Sequence, residues 1–393
     1  MDASAATAGR LLAWLLDQEG PVTRPAVALA LGLSRPTVFA AMDRLESAHL
    51  VEIVGVDSGR PGRSAALYRV SRDAGLVGAI DIGGSNIRVA VADARGEVLA
   101  TRTEATRSAP SAAVITQAID LLAAALAEAD SRRPLTSVCM SVPGVVDVDG
   151  RMVRFATNLG QPEAHDFATP VHEAFGCPVH LDNNVNLAAI GEQWLGAGRD
   201  LGTFAVVAVG AGVGAGIVYD GQVLRGAHRA AGEIAFLPSP GGLKAIDPHA
   251  HDPAGGIRLL EAARADTTWA SAPPATVQEL FERAAAGEPA AVALFENECE
   301  QIARVIASVC AVIDPEAVIL TGGVGANAAF IARLREHMRV LALFPPELVA
   351  SHLAERASLM GALRTAADAR KAALLQAVAD ESVWEQAKGL ANA

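Results

Sequence analysis

The residues of this chain with types and spacing suited to chemistry are three glycine-rich turns and one run of amides. Asp81-Ile-Gly-Gly-Ser85-Asn86 follows an apolar stretch, Gly210-Ala-Gly-Val-Gly-Ala-Gly216 follows a second, and Gly322-Gly323 ends a third. Glycines at strand ends let backbone N–H groups approach a phosphate, and a strand-end aspartate can hold a metal or a water. Asp81, Gly83, Gly84, Ser85, Gly210 and Gly212 are the phosphate-loop positions on this reading. The run Leu181-Asp-Asn-Asn-Val-Asn186 supplies amides, and Asn and Glu in pairs offer the two-point hydrogen bonding that polyols need. An amide cannot take a proton from a hydroxyl as a carboxylate can.

A different chemistry is written between residues 24 and 70. Arg24–Leu31 fits a short helix, Gly32 a turn, and Ser34 caps a third helix with Pro36 in its first turn. Leu33, Val38 and Leu45 supply the core face of this unit, and Ala28 keeps the first helix thin at the crossing. That leaves Ser34, Arg35 and Thr37 at the start of a recognition helix, with Arg44 placed for a phosphate further along. Val51–Val56 and Ala66–Val70 read as two strands around Gly59-Arg60-Pro61-Gly62-Arg63. Arg60 and Arg63 on such a wing suit a narrow, A·T-rich minor groove.

These positions need a scaffold, and the hydrophobic periodicity outlines one. Leu11, Leu12, Trp14, Leu15 and Leu16 form a helical stripe ahead of Gly20-Pro21. After a polar joint at 71–75, Leu76–Ile82, Ile87–Asp93 and Glu97–Thr103 alternate as three strands. Ala112–Ala129 reads as a helix, Ser137–Ser141 and Val179–Leu181 as strands, and Val185–Leu195 as a helix. A second strand group starts at Thr203–Val209, Gly216–Tyr219 and Gln222–Leu224. Helices follow near 276–286 and 290–312, then a strand at Ala317–Leu320 and a mainly helical remainder. A strand trio with a glycine turn that recurs after residue 200 predicts a duplicated, two-lobed α/β body.

At 393 residues the chain has room for two or three domains. It has no uninterrupted apolar run of 18 residues and no basic-then-apolar N-terminal segment, so no membrane span or signal peptide is expected and the location expected is cytoplasmic. None of Cys139, Cys177, Cys299 and Cys310 forms a CxxC pair, and buried free thiols are expected. Net charge is −12, but residues 1–72 carry eight Arg against seven acids. The remaining 24 basic and 37 acidic residues make an acidic body that will not bind DNA non-specifically.

Taken together, the chain over residues 10–365 resembles the ROK family (repressors, open reading frames and kinases). The matching pieces are Asp81-Ile-Gly-Gly-Ser85, Val142-Pro-Gly-Val-Val-Asp147, Thr157-Asn-Leu159, Asp182–Asn186, Gly210–Gly216, Gly232-Glu-Ile234 and Thr321-Gly-Gly323. The resemblance implies an actin-like fold, two α/β lobes around a sugar and ATP cleft. Kinases of the family lack the head; regulators of the xylose and N-acetylglucosamine repressor type carry it. The implied organisation is a winged helix-turn-helix domain at 1–72 and a sugar-kinase-like domain at 76–393. The latter divides into one lobe at about 76–183 plus a C-terminal helix, and another at 184–364.

Departures from the family pattern shape the functional expectation. Asn184 stands where the family has its catalytic aspartate, and Ala211 where kinases have threonine. Phe236 replaces a zinc-binding histidine, and Gly241–Leu260 contains no cysteine, so neither the zinc site nor any other cofactor is expected, ATP included. Asp247-Pro-His-Ala-His-Asp252 has spacing for a different metal site, and an exposed loop accounts for it equally well. Asn158, Asn183, Glu233 and Glu261 match family positions that hydrogen-bond a sugar, and Asn184 joins them as a ligand position rather than a catalytic one. The implied protein is not an enzyme. It is a regulator, a repressor of carbohydrate genes, that binds a palindromic, A·T-rich duplex operator as a homodimer or homotetramer with a sugar or sugar derivative as effector. The alternative is an ATP-dependent sugar kinase with an appended head.

Overall fold

Three helices and a small sheet form the N-terminal head. The computed structural model describes residues 3–18, 20–57, 64–107, 110–129, 134–154, 164–237, 254–380 and 384. α1 (Ala3–Leu16) buries Leu11, Leu12 and Leu15. After β1 (Val22–Thr23), the Thr23 hydroxyl accepts from the Ala26 N–H and opens α2 (Arg24–Leu31). Gly32 ends it at φ 64°, a conformation that costs glycine little. Ser34 then caps α3 (Arg35–Ser47) by accepting from the Thr37 N–H, and the chain axis turns by 118° between the two helices. β2 (Val51–Asp57) and β3 (Ala65–Val70) complete an antiparallel sheet in the order β1-β3-β2.

The body contains two five-stranded sheets of one design. The first is built from β4 (Leu76–Ile82), β5 (Asn86–Asp93), β6 (Val98–Ala105), then α4 (Ser111–Glu128) and β7 (Leu135–Val142). Short strands β8 (Val145–Val146), β9 (Met152–Arg154) and β10 (His165–Asp166) pair among themselves before α5 (Ala168–Phe175) and β11 (Val179–Asn183). The strand order is β11-β7-β4-β5-β6, with β4, β5 and β6 antiparallel and β7 and β11 parallel additions. α4 has the length and apolarity of a membrane span, but its Val114, Ala118, Leu121 and Leu122 face lies in the core of this sheet.

α6 (Asn184–Leu195) leads into the second sheet. β12 (Phe204–Val209), β13 (Val213–Tyr219) and β14 (Gln222–Val223) repeat the antiparallel trio. After α7 (Gly256–Ala265), α8 (Val277–Ala285) and α9 (Pro289–Ile313) come β15 (Ala317–Thr321), the four-residue α10 (Gly322–Gly325), α11 (Ala328–Leu341) and β16 (Glu347–Ala350). β15 and β16 add in parallel, and the order β14-β13-β12-β15-β16 reproduces the first sheet strand for strand. The helical remainder expected after residue 320 is therefore interrupted by β16, a short strand preceded by Pro345-Pro346.

Two helices bind these halves together. Leu187 of α6 packs with Val77, Ala79 and Ala90 of the first sheet and with Leu359, Ala362 and Leu363 of α12 (Ala357–Ala379). The opposite side of α6, through Val185, Ala188 and Ala189, packs on Phe204, Val206 and Ile319 of the second sheet. Glycines bring the two helices into backbone contact. A Cβ on Gly361 would lie 1.8 Å from the Leu187 carbonyl oxygen, and one on Gly191 2.2 Å from that of Ala357. α12 then runs on into the head, where Leu374 and Val378 share a core with Leu11, Leu12 and Met42. Lys371 pairs with Asp17 at 2.5 Å, and the Arg370 guanidinium donates to the Ala74 carbonyl. One continuous helix thus reaches from the junction of the two sheets to the head.

Candidate functional site

A cavity of about 260 Å³ opens where the second glycine turn faces the start of α6. Its second-sheet wall is the hairpin turn Gly210–Gly214 with Gly232, Glu233 and Phe236; its other wall is Pro143, Gly144, Asn183 and Asn184. The glycine turn is held from behind. Its Gly210 and Ala211 carbonyls accept from the Gly256 and Ile257 N–H groups at the start of α7, at 2.7 and 3.1 Å. The Glu298 carboxylate accepts from the Gly255 N–H at 2.7 Å, and burial pushes its pKa upward. Gly232, at φ 90°, touches β13 so closely that a Cβ would sit 1.9 Å from the Ala215 oxygen. No other residue type leaves this wall intact.

The amide run has divided its tasks. Asn183 is largely structural: its Oδ1 accepts from the Val185 N–H to cap α6, and its Nδ2 donates to the Gly144 carbonyl, both at 2.8 Å. Asn184 lines the cavity, and its side chain makes no hydrogen bond among the described residues. Asp182, the nearest carboxylate in sequence, is buried beside the cavity rather than lining it. Arg225 holds one of its oxygens at 2.8 Å, and the Asn183 N–H and the Asn186 amide donate to the other. Both of its oxygens are thus taken up by cationic and amide donors. Glu233 is the one carboxylate among the described cavity-lining residues.

The other predicted positions fall in different places. Asp81, Gly83, Gly84 and Ser85 form the corresponding turn of the first sheet but do not line this cavity. Asp81 is buried, accepts from the Ser141 hydroxyl at 2.7 Å, and lies 3.7 Å from Arg88; burial outweighs these partners and raises its pKa. Glu261 sits on α7, pairs with Arg258 at 2.7 Å, and is likewise not a lining residue. Asn158, the wing arginines Arg60 and Arg63, and the Asp247–Asp252 segment lie outside the described residues. Among the described residues no cluster of His, Cys, Asp or Glu suits a metal. Burial raises the pKa values of all four cysteine thiols, those of Cys177 and Cys310 to about 11.

In the head, Ser34, Arg35 and Thr37 are exposed together at the N-terminal end of α3, and Arg35 has no partner among the described residues. Arg44 lies on the opposite side of α3 from Arg35, about two full turns beyond Thr37. Nine residues separate it from Arg35, about two and a half helical turns, and its guanidinium donates to the Ser4 hydroxyl and stacks 4.2 Å over Trp384. Sequence reasoning passed over Arg24. It is sandwiched 4.8 Å from both Phe39 and Tyr68 and paired with Asp43 at 2.5 Å, which fastens α2 and α3 to β3. It also missed Gly144 and Arg225, which act through contacts made only in the folded chain.

A glycine hairpin turned toward a polar cavity, between two repeated α/β halves, defines a protein of the sugar-kinase and actin-like architecture. The model of the ROK family matches residues 77–369, and the chain belongs to that family. A putative xylose repressor of Caldicellulosiruptor sp. strain Rt8B.4 is 29% identical over 229 residues, 58% of this chain and 57% of the relative. This chain therefore matches little more than half the length of that relative. A β-glucoside kinase of Listeria monocytogenes serovar 1/2a is 24% identical over 289 residues, 73% of this chain and 96% of the kinase. Among solved structures, a ROK family transcriptional regulator, homologous to the E. coli MLC protein, superposes with a TM-score of 0.73 at 22% identity, covering 96% of this chain and 99% of its own. A ROK glucokinase from Streptomyces griseus, solved with glucose and AMPPNP, gives 0.62 at 27% identity and covers 75% of this chain and 100% of its own. The fold shared with the regulator thus includes the head, and that shared with the glucokinase is three quarters of the chain.

Proposed function

We propose that this chain is a DNA-binding transcriptional regulator, a repressor of carbohydrate genes, whose kinase-like body senses and does not phosphorylate. The observation that carries the reading is the head: two helices turned by 118° with Ser34, Arg35 and Thr37 exposed at the start of the second. Helix-turn-helix units cross at about 90–120° and place that helix end against base edges. The adjoining antiparallel sheet makes the unit a winged helix-turn-helix, and we assign it to residues 1–72. One such unit reads a half-site, so a homodimer or homotetramer on a palindromic operator is the matching assembly.

Asn184 supports the second half of the proposal. The acceptor hydroxyl of a bound sugar would meet an amide there, and loss of a general base costs about 10²–10⁴-fold in rate. The cavity is slightly smaller than the ~300–1,000 Å³ typical of drug-sized ligands, which suits a sugar or sugar derivative held by Asn184 and Glu233. α12 supplies the route from cavity to head, since it packs on α6 and also contributes to the head core. A ligand acts along it only so far as it prefers one arrangement of the two sheets.

The test is a mobility shift of full-length protein on the DNA flanking its own gene. Salt-sensitive retention of that DNA over an unrelated duplex is the expected result; equal or absent binding at low salt defeats the proposal. The competing reading, a sugar kinase with a head, is favoured by the kinases among the relatives and by Glu233 in the cavity. A coupled assay with ATP and a panel of hexoses and N-acetylhexosamines decides it: turnover above ~1 s⁻¹ lies in the ordinary enzyme range and would establish the kinase.

A further inference from the structure

A second cavity, of about 640 Å³, lies on another face of the α6–α12 pair, bounded by the β13–β14 hairpin. It gathers Arg199, Arg225 and Arg364 from three separate elements: the segment after α6, the segment after β14, and α12. Asp368 is the one acidic residue lining it, and Asp182 pairs Arg225 from behind, so three guanidiniums meet two carboxylates and one positive charge is left in excess, within a body that is strongly acidic. The chain is rich in arginine everywhere, and one guanidinium on a wall would mean nothing. Three convergent ones with a shared concavity mean more.

Their partners differ in a useful way. Arg364 is joined to Asp368 at 2.8 Å and stacks 5.6 Å over Trp194. Arg199 is exposed and has no partner among the described residues. Arg225 faces both ways: it lines this cavity and holds Asp182, two residues before the Asn184 that lines the other cavity. The rim is braced by Gln193, whose amide donates to the Gly221 carbonyl at 3.0 Å, and by Trp194, which packs against the Gly96 turn of the first sheet. The cavity is therefore built from parts of both halves of the body.

We propose that this cavity is a second ligand site, for a small phosphorylated molecule. Guanidinium forks match phosphate oxygens in geometry, and a phosphate monoester, with about −1.5 to −2 charges near neutrality and three terminal oxygens, can engage the free Arg199 and compete with the carboxylates for Arg225 and Arg364 as a monocarboxylate does not. Trp194 offers a flat wall, and Gln193 and Gln222 offer amides to the rest of such a ligand. Its phosphoryl group competes with Asp182 for Arg225, so occupancy here loosens the anchor of the Asn183–Asn184 segment. The site depends neither on the head binding DNA nor on the first cavity holding a sugar.

The experiment is calorimetric titration of full-length protein with inorganic phosphate and with a hexose monophosphate, using gluconate as the carboxylate control. Saturable phosphate binding is expected at about millimolar Kd or tighter, with gluconate weaker. Arg199→Gln combined with Arg364→Gln should weaken it by about tenfold or more, since a charge-assisted hydrogen bond contributes ~1.5–3 kcal/mol. Arg304→Gln, on α9 and away from this cavity, should leave it unchanged. If the double variant is poorly folded by circular dichroism, Arg199→Gln alone serves, because that side chain is exposed and unpartnered. No saturable phosphate binding, gluconate binding as tightly as phosphate, or unaltered affinity in the folded arginine variants overturns the proposal.

Discussion

The two sheets of the body share one strand order and one hairpin with a glycine turn, yet they use that turn oppositely. In the first, the turn closes on itself. The Gly83 N–H donates to the Asn86 carbonyl at 2.9 Å, Thr106 donates from hydroxyl and N–H to the Gly83 and Ser85 carbonyls, and Arg88 bridges the buried Asp81 to Glu355. In the second, the Gly210 N–H likewise donates to the Gly212 carbonyl at 2.9 Å, but α7 takes the Gly210 and Ala211 carbonyls from behind and the turn faces the cavity. The same backbone has thus produced one turn flanked by an ion pair to the other half, Arg88–Glu355, and one that offers a binding wall. Topology survives duplication because the apolar faces of the strands fix it; chemistry does not, because a few polar side chains around each turn decide it.

The first way to break the comparison is to attack what the halves share. Gly361→Ala puts a methyl group where the Leu187 oxygen lies 1.8 Å away, forcing α6 and α12 apart. Overpacking of this kind costs about 1–3 kcal/mol and occasionally more, and backbone rather than a flexible side chain is the obstacle here, so the upper end is expected. Urea denaturation should show it. Gly84→Ala, in the first turn where a Cβ meets nothing within 4 Å, is the matched control and should change stability little. Equal stability of the two variants would mean that the helix contact is not what sets the body.

A second test addresses the open turn. Asn184→Asp returns a carboxylate to the cavity, and in the coupled kinase assay it should raise phosphoryl transfer over the parent by up to about 10²-fold. An unchanged rate would place the decisive loss elsewhere, at Ala211 or Phe236. An already rapid parent would remove the significance of Asn184 altogether.

A third contrast lies within α3. Arg35→Ala should weaken operator binding by about tenfold, from the ~1–3 kcal/mol of a base contact. Arg44→Ala should leave DNA affinity nearly intact and lower the melting temperature, because it removes the stacking on Trp384 and the bond to Ser4. Fluorescence anisotropy with labelled operator and a thermal melt separate the two outcomes; the reverse pattern would mean that the exposed end of α3 is not the reading surface.

Much of this organisation was legible in the chain, for identifiable reasons. Gly32 as a turn and Ser34 as a cap mark helix ends locally, so α2 ends and α3 begins where they predict. The strands β4 and β12 show as apolar runs because they lie at the centre of their sheets, buried on both faces. What escaped was set by distant partners. Asn183 and Asn184 both line the cavity, but only Asn183 is tied down, by its cap to the Val185 N–H and by a bond to the distant Gly144, which follows β7. Arg225 gains its meaning only when the hairpin brings it to Asp182. β16 was hidden behind two prolines, and Arg44 is engaged by Ser4 of α1 and by Trp384, partners from distant parts of the chain.

The smallest effect concerns the buried acids behind the two turns. Burial raises the pKa of Asp81 in the first half and of Glu298 in the second, against the hydrogen bonds that lower them. In the unfolded chain both ionise at ordinary carboxylate values, so between those values and the raised ones the folded state binds more protons. Their contribution to stability is therefore fully present below the ordinary range and is lost as pH rises through the raised values. Urea midpoints measured upward from about pH 4, the ordinary carboxylate range, should fall with a slope that Asp81→Asn and Glu298→Gln each flatten. Asp81→Asn keeps an oxygen for Ser141 but removes the charge and the oxygen that face Arg88, whereas Glu298→Gln keeps the oxygen that Gly255 needs. Asp81→Asn should thus flatten the slope and also weaken the junction to Glu355, while Glu298→Gln should only flatten it. Equal behaviour of the two variants would mean that the closed turn bears no more of the contact between the halves than the open one does.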